Sequence, residues 1–556
     1  MNNTDNNKII NKINQYFHNL GIKQESRFDL LLTILQEQGQ EHQPINELLN
    51  NLDYSNKDLI QELFMVIGSK LTKFKLNQFY TPLTISEFIC RFMDPLIGSS
   101  IDPAGGTGDL LVYYSGQKTI WDIDESALKL CKFNYELNKL LNYELVCKNS
   151  LIDFQKDIGK YAYVATNPPF GSSTVVTDSS ILKNFELGIG KKKQEIGILF
   201  IELSLRLLKE GGIMFIILPT GYIGNINNAF VELRKYLLKH KILAVLELPK
   251  GTFKRSETGV NTCLLIVQKT TIVDIIQPSE IFISGIKNIG YNLSKKDTPK
   301  KYKMVSETGE NILSTIDGLP ILDNDFVLTT CQFRHFCRKN GILNINVGIV
   351  GIVGIVGIIE DVDYEFIMSD KLDSTILDIK RYQQKYLCTI EQLKNINSTT
   401  LKSIATNIKK CFKPEKSKKY KYIDIGEINS PLHGFNELYG WELPARAKYV
   451  VQKNDILISK LEGTLSYCVI LTNDDNFIAT NGVAIFRPND LNSLYILFAN
   501  IMSHNFSIQH NAYLTGSIMA SLSETDIENF LIDLTVDINA TKKIINTLEI
   551  LQKLKI

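Results

Sequence analysis

The chain has 556 residues, 44% hydrophobic and 22% charged, which is ordinary globular composition with enough apolar mass for roughly three to four domains. Its 61 lysines and arginines against 60 acids leave a net charge of +1, so no global field draws an anionic partner and any nucleic-acid surface is a local patch. Nine cysteines without a C-x-x-C pair and seven histidines without H-x-x-x-H spacing speak against a disulfide frame and against a metal site. The opening MNNTDNNKIINKINQ has no apolar core of signal-peptide length, and no run of about 18 apolar residues occurs, so a cytoplasmic protein with no membrane partner is expected.

In chain order, residues 1–75 are polar with apolar positions at helical spacing, as in FDLLLTILQEQ (28–38) and DLIQELFMVIGSKL (58–71), which predicts a small N-terminal helical domain. From 76 the pattern alternates: short apolar runs (SSIDPA, QKTIWDID, YAYVATN, GGIMFIILP, ILAVLELP, TCLLIVQK) separated by amphipathic helical segments such as ALKLCKFNYELNKLL. Alternation of this kind predicts an α/β domain with a Rossmann-like doubly wound sheet, whose ligands sit at the carboxyl ends of the strands; we place it over 76–325. Residues 326–385 read as a connecting region holding VGIVGIVGIVGII (347–359), a three-residue repeat without proline that is not collagen. Residues 386–535 mix strand-like pieces (YKYIDIGEI, DILISKLEG, SYCVILT, GVAIFRP) with helical ones, a separate α+β domain, and 536–556 close the chain as an amphipathic helix.

Three stretches carry chemistry. SSIDPAGGTGDLL (99–111) puts Asp102 at a strand end and then Gly105, Gly106 and Gly108, either a close backbone approach to a nucleoside cofactor or a plain tight turn. It matches neither G-x-G-x-x-G nor the phosphate loop, and the missing lysine argues against ATP hydrolysis. One strand later, Asp122 in IWDIDES stands where a doubly wound fold presents an acid to ribose hydroxyls, the alternative being a surface acid. A ribose site without a phosphate signature suggests S-adenosylmethionine over a dinucleotide. VATNPPFGSS (164–173) ends an apolar run with Asn167, Pro168, Pro169 and Phe170, either a strand-ending turn or a rigid pocket for a flat, nitrogen-bearing ring.

The ordered set NQFYTP (77–82), DPAGGTGDLL (102–111), WDID (121–124), NPPF (167–170) and LPKGTFKRSETGVNTCLLIV (248–267) resembles the N6-adenine DNA methyltransferases, in particular the modification subunits of type I restriction–modification systems and their single-chain relatives. QKNDILISKLEGTLSYCVIL, NGVAIFRP and LTGSIMASLSETDIENFLIDL are similar to one target-recognition domain of a type I specificity subunit. The resemblance implies a modification subunit fused to half a specificity subunit. It implies that Gln78, Phe79, Tyr80, Thr81 and Pro82 close over the methionine end of S-adenosylmethionine, that Asp102, Gly106, Thr107, Gly108 and Asp109 line its other side, and that Asp122 takes the ribose. The family's acceptor for the cofactor's adenine amino group falls on Asn149, with Asp153 a nearby alternative.

The exocyclic nitrogen of adenine is a poor nucleophile because its lone pair is delocalised into the ring. Asn167, through its side-chain oxygen, and Pro168, through its carbonyl, suit the task of accepting both amino hydrogens, with the prolines fixing the acceptors beforehand. Phe170 would stack on the base; the resemblance adds Phe253 as a second stacking ring, core packing being the alternative. A target inside duplex DNA has to be flipped out. Lys191, Lys192 and Lys193 in GIGKKKQE (188–195), and Lys416, Lys418 and Lys419 in NIKKCFKPEKSKKYKY (407–422), are candidate phosphate contacts or solvated loops. The rivals are methylation of RNA or of a protein glutamine, which N-P-P-[YF] enzymes also perform, and a non-catalytic specificity or assembly subunit. Cytosine N4 methylation usually has serine at the position of Asn167. No nuclease domain is legible, so a separate restriction subunit is expected if cleavage accompanies the chain, and the closing helix suggests a homodimer.

Overall fold

A computed structural model describes residues 6–37, 43–52, 59–67, 81–93, 98–170, 174–254, 259–270, 280–295, 298–306, 308–314, 318, 320–342, 364–368, 379–409, 411–461, 463, 465–474, 476–514 and 521–555. Gln78, Phe79, Tyr80 and the repeat at 347–359 lie outside them. The chain forms two compact units, Met1–Leu377 and Asp378–Ile556. No described helix is long and apolar enough to cross a membrane.

The first unit opens with helices α1 (Asn6–Asn19), α2 (Gln24–Glu37), α3 (Gln43–Asn50) and α4 (Leu59–Ile67). Apolar residues three and four apart (Ile9, Ile10, Ile13 and Phe17 on α1) turn inward and meet Leu31, Ile45, Leu49 and Leu63. The same core takes in Leu130 and Phe133, so the bundle is seated on the doubly wound domain.

That domain follows α5 (Leu83–Met93) with β1 (Ser100–Asp102), β2 (Lys118–Asp122), α6 (Glu125–Leu137), β3 (Tyr143–Cys147), β4 (Tyr161–Thr166), α7 (Ile196–Leu207), β5 (Leu208–Pro219), α8 (Asn228–Leu237), β6 (Lys241–Glu247), β7 (Thr262–Gln268), β8 (Glu280–Gly285), α9 (Phe326–Lys339) and β9 (Tyr364–Met368). All nine strands form one sheet in the order β9-β8-β6-β7-β5-β4-β1-β2-β3. Pairing is parallel from β5 through β4 and β1 to β3, while β7 runs antiparallel between β5 and β6. Central strands β4 and β7 are buried almost throughout, which is why they read as continuous apolar runs. Strand order reverses between β1 and β4, and a crevice opens at their carboxyl ends, where Asp102 and Asn167 stand.

The boundary expected at 326 shifts. On α9, Phe326, Phe333 and Phe336 pack against Phe88, Phe92 and Phe282 in the core of the sheet domain, and β9 pairs with β8. An aromatic stripe on one helix face belongs to a core, so the start of the expected connecting region is structural.

The second unit carries two four-stranded sheets built from β10 (Ala405–Asn407), β11 (Lys419–Ile423), β12 (Asn436–Tyr439), β13 (Ala447–Val450), β14 (Ile456–Ser459), β15 (Tyr467–Val469), β16 (Phe477–Thr480) and β17 (Val483–Pro488). Their orders are β10-β17-β14-β15 and β12-β11-β16-β13. Helix α10 (Leu491–Ile501) packs with the closing helix α11 (Ile538–Lys555), whose Ile545 and Leu548 are buried in this unit's core.

Candidate active site

The glycine turn after β1 is held from three sides. Asn134 Nδ2 donates to Thr107 O (2.9 Å), Tyr135 Oη to Gly108 O (3.0 Å) and Ser150 Oγ to Pro103 O (2.6 Å). Asp109 is buried between Thr107 Oγ1 (2.8 Å) and Asn134 Nδ2 (3.3 Å), so its carboxylate braces the turn. The turn is fastened to the next strand where Gly106 N donates to Asp122 Oδ2 (2.8 Å), while Asp122 Oδ1 accepts from Asp124 N (2.9 Å).

A cavity of about 580 Å³ opens here. Of the expected site residues, Thr81, Asp102, Gly106, Thr107, Asp109, Asp122, Asn149, Asn167 and Pro169 line it. Asn167 Nδ2 donates to Thr81 Oγ1 at 3.2 Å, and Gln61 Nε2 on α4 donates to Thr81 O at 3.1 Å. Gln61 and Thr81 are both buried. With its nitrogen toward Thr81, the amide turns its oxygen away from that hydroxyl. The helical bundle thus reaches the end of β4 through two side chains.

Four carboxyl groups, Asp102, Asp109, Asp122 and Asp124, line the cavity. Burial pushes Asp102 up to about 7, against the pull of the Thr166 hydroxyl and the Ala104 N–H, and burial likewise raises Asp122. Among the described residues Lys148 is the only basic side chain on the lining. It is engaged elsewhere, with Asp157 Oδ2 (3.1 Å), Asp153 O (2.8 Å) and the face of Trp121 (3.3 Å). An acid-lined cavity without a phosphate cradle suits a nucleoside bearing positive charge, and S-adenosylmethionine, with its sulfonium and ammonium, fits that description.

Other expectations land elsewhere. Pro82 directly precedes α5, and Pro82, Gly108 and Pro168 are not among the lining residues. Asn149 Oδ1 accepts from Leu151 N (3.0 Å), shaping the loop after β3 while its residue still faces the cavity. Phe170 is buried and does not line the cavity. Phe253, 1% exposed, sits in the apolar core with Leu248 and Ile289, so the core alternative describes it. Lys191 pairs with Glu232 at 2.5 Å, leaving Lys192 and Lys193 as the exposed members of that run. Two lining residues are not singled out by the sequence: Ile123, 70% exposed and next to Asp122, and Phe200 on α7. An apolar residue directly after a strand-end acid was the available signal for Ile123; Phe200 lies in an apolar helix and carried none.

Fold and site define a class: the sheet with β7 reversed between β5 and β6, and the acid-lined crevice at the switch point, are those of the class I S-adenosylmethionine-dependent methyltransferases. Comparison with known proteins narrows it. Residues 56–317 match the N-6 DNA Methylase family and residues 393–556 the type I restriction modification DNA specificity domain. The chain is 25% identical to the type I restriction enzyme EcoEI methylase subunit of Escherichia coli over 256 residues, 41% of this chain and 50% of that one. It is 24% identical to the rRNA N(6)-adenosine-methyltransferase metl-5 of Caenorhabditis elegans over 159 residues, 27% of this chain and 66% of that one. The chain thus spans half of the first curated relative's length and just under two thirds of the second's. The type I restriction-modification system methyltransferase subunit from Streptococcus thermophilus superposes with a TM-score of 0.39 at 18% identity, over 52% of this chain and 61% of that one. One polypeptide thus carries a segment that matches the N-6 DNA Methylase family followed by a segment that matches the type I specificity domain.

Proposed function

We propose that this chain is a site-specific DNA adenine methyltransferase, the modification and specificity part of a restriction–modification system in the cytoplasm. The observation that carries the reading is Asn167, oriented by Thr81 at the end of β4 and opening onto the acid-lined cavity, in a chain that also holds a DNA specificity domain. Bound in the cavity, S-adenosylmethionine supplies an electrophilic methyl group on positively charged sulfur. Asp122 would take the ribose hydroxyls, Asp102 would balance the positive charge, and Asn149 would contribute an acceptor for the cofactor's adenine. Asn167 Oδ1 and the Pro168 carbonyl accept the two amino hydrogens of the flipped adenine, drawing the nitrogen toward tetrahedral geometry and freeing its lone pair. Phe170 would need to turn from its buried position to stack on the base. S-adenosylmethionine held in the cavity would give its methyl group to the adenine nitrogen in exchange for the sulfur–methyl bond, and the displaced proton would pass to water, since the Asn167 amide is no base.

Double-stranded DNA is the substrate, and a separate restriction subunit would supply cleavage. Pairing of two copies through α11 is supported by Ile544, Ile550 and Leu551, which are exposed on the helix. The likeness to an rRNA enzyme covers only 27% of the chain, which is compatible with a shared chemistry on different substrates. The test uses methyl-labelled cofactor with DNA, RNA and protein fractions, followed by digestion. N6-methyldeoxyadenosine is expected; label in N4-methyldeoxycytidine, in RNA or in glutamine would overturn the reading.

Two further results are expected. Thr81→Val removes a hydrogen-bond contact of Asn167 Nδ2 and weakens the hold on the amide. Turnover should fall by about ten- to a hundredfold, the scale of a slightly misplaced catalytic group, with cofactor affinity much less affected. Thr81→Ser should restore most of the rate; a turnover unchanged in Thr81→Val would show that the contact positions nothing. The second concerns pH. Asp102 is raised from 3.8 to about 7, so its contribution to folding is fully present below 3.8 and is lost as pH rises through about 7. A bound cation favours the carboxylate instead. Cofactor affinity measured by calorimetry should therefore rise from about pH 6 to about pH 8 and level off, and Asp102→Asn should flatten the profile.

A further inference from the structure

Strand β12 is an edge strand, paired only with β11, with Lys419 opposite Tyr439. The turn that follows it is clamped. Gly440 N donates to Lys418 O (2.9 Å), Trp441 N to Lys416 O (3.4 Å), Glu442 N to Tyr439 O (2.8 Å), and Tyr439 N to Glu442 Oε2 (2.7 Å). The backbones meet so closely that a Cβ on Gly440 would lie 2.0 Å from Glu415 O. On this rigid turn Trp441 is 67% exposed, beside Tyr439, which is 39% exposed. Lys413, Lys416 and Lys418 on the facing segment are exposed and form no ion pair among the described residues. Lys419 is the member of the patch with a nearby acid, Glu437 at 4.0 Å, and its Nζ lies 5.3 Å from the Tyr439 ring centre. Residues 407–424 hold seven lysines against Glu415 and Asp424; Lys409, Lys419 and Lys421 pair with Glu528, Glu437 and Asp474, and the exposed Lys413, Lys416 and Lys418 keep the segment positive.

A large aromatic surface left in water on a fixed turn is costly, and the facing segment carries exposed lysines, of which Lys418 lies 5.5 Å from the Tyr420 ring centre. Duplex DNA meets both needs: phosphates at regular intervals for the lysines, and base edges and sugars for the ring. We propose that the Tyr439–Glu442 turn and the facing Lys413–Lys419 segment form a duplex-DNA contact of the specificity domain, with Trp441 packed against the bases or sugars of one groove and Lys413, Lys416 and Lys418 on the flanking phosphates. The proposal rests on DNA being the substrate, as argued above, and names residues through which the domain grips it.

The sequence supplies its own probe. The chain has two tryptophans, and Trp121 is buried at 1% exposure, so iodide quenching of intrinsic fluorescence reports on Trp441. Full-length protein would be titrated with mixed-sequence duplex DNA while the anisotropy of a labelled duplex follows binding independently. Iodide quenching should be suppressed as the duplex saturates. Trp441→Ala should weaken binding by about tenfold, the scale of one lost aromatic contact to a base, with an unchanged salt slope. Replacing Lys413, Lys416 and Lys418 together by glutamine should lower the slope of log affinity against log salt by about 2.7. Trp441→Phe, which retains a ring, should bind nearly as wild type and exclude a folding defect. Duplex that binds with Trp441 still fully quenched would overturn the contact and leave the methylation reading standing. Absence of duplex binding, with protection by polyglutamate instead, would overturn both in favour of an acidic protein partner.

Discussion

Asn167→Ala is expected to abolish methyl transfer to the limit of about a hundred- to a thousandfold, while cofactor affinity and thermal stability remain close to wild type. The amide is held by Thr81 on the cavity lining, and in the proposed mechanism its oxygen is the polarising acceptor for the target amino group. Removing a single preorganised polar group from a site where charge develops costs roughly that factor. Asn167 is only half-buried, so its truncation opens no sealed core. Asn167→Asp would keep an acceptor and should retain partial activity; Asn167→Ala turning over at the wild-type rate would remove Asn167 from the mechanism. Single-turnover transfer of labelled methyl groups, alongside calorimetric cofactor binding, separates the two effects.

The second large effect is structural. Gly108 has φ +77°, and a Cβ there would lie 2.5 Å from Cys131 Sγ and 2.7 Å from the Tyr135 ring. Both neighbours are fully buried and cannot withdraw. Gly108→Ala therefore combines a left-handed backbone penalty of about 1–2 kcal/mol with overpacking of about 1–3 kcal/mol, or about 2–5 kcal/mol in all. Thermal unfolding should show a drop of several degrees, and the distorted turn should lose cofactor affinity. Gly190→Ala is the control: φ is +74° but nothing lies within 4 Å of the added carbon, so only the backbone penalty of about 1 kcal/mol is expected. Equal losses in the two variants would refute the steric part of the account.

These two positions also mark what the sequence makes legible. Local chemistry shows through: Asp102 and the glycines follow a short apolar run, Asn167 and the prolines end another, and both prove to be strand ends at the switch point. Tertiary partners do not. Thr81 and Asn167 are 86 residues apart, and Gln61 joins them from a helix whose pattern records only its apolar face. Phe253 shows why an aromatic after a strand is ambiguous, since core packing and ring stacking demand the same side chain. The lysine run at 191–193 was legible as charge, but its partner Glu232 lies 41 residues on, across a helix. Trp441 carried no pattern at all; its display depends on the pairing of Gly440 with Lys418, which only the folded sheet creates.

The central claim is that the Asn167 site methylates adenine in DNA at a sequence chosen by the second unit. It is tested most directly by expressing the chain, and separately its Asn167→Ala variant, in a host without adenine methylation and reading modified bases by single-molecule sequencing. The account predicts N6-methyladenine at one defined motif in the wild-type culture and none with the variant. Unmodified DNA in both cultures, with cofactor-derived methyl groups recovered in RNA or protein, would contradict it.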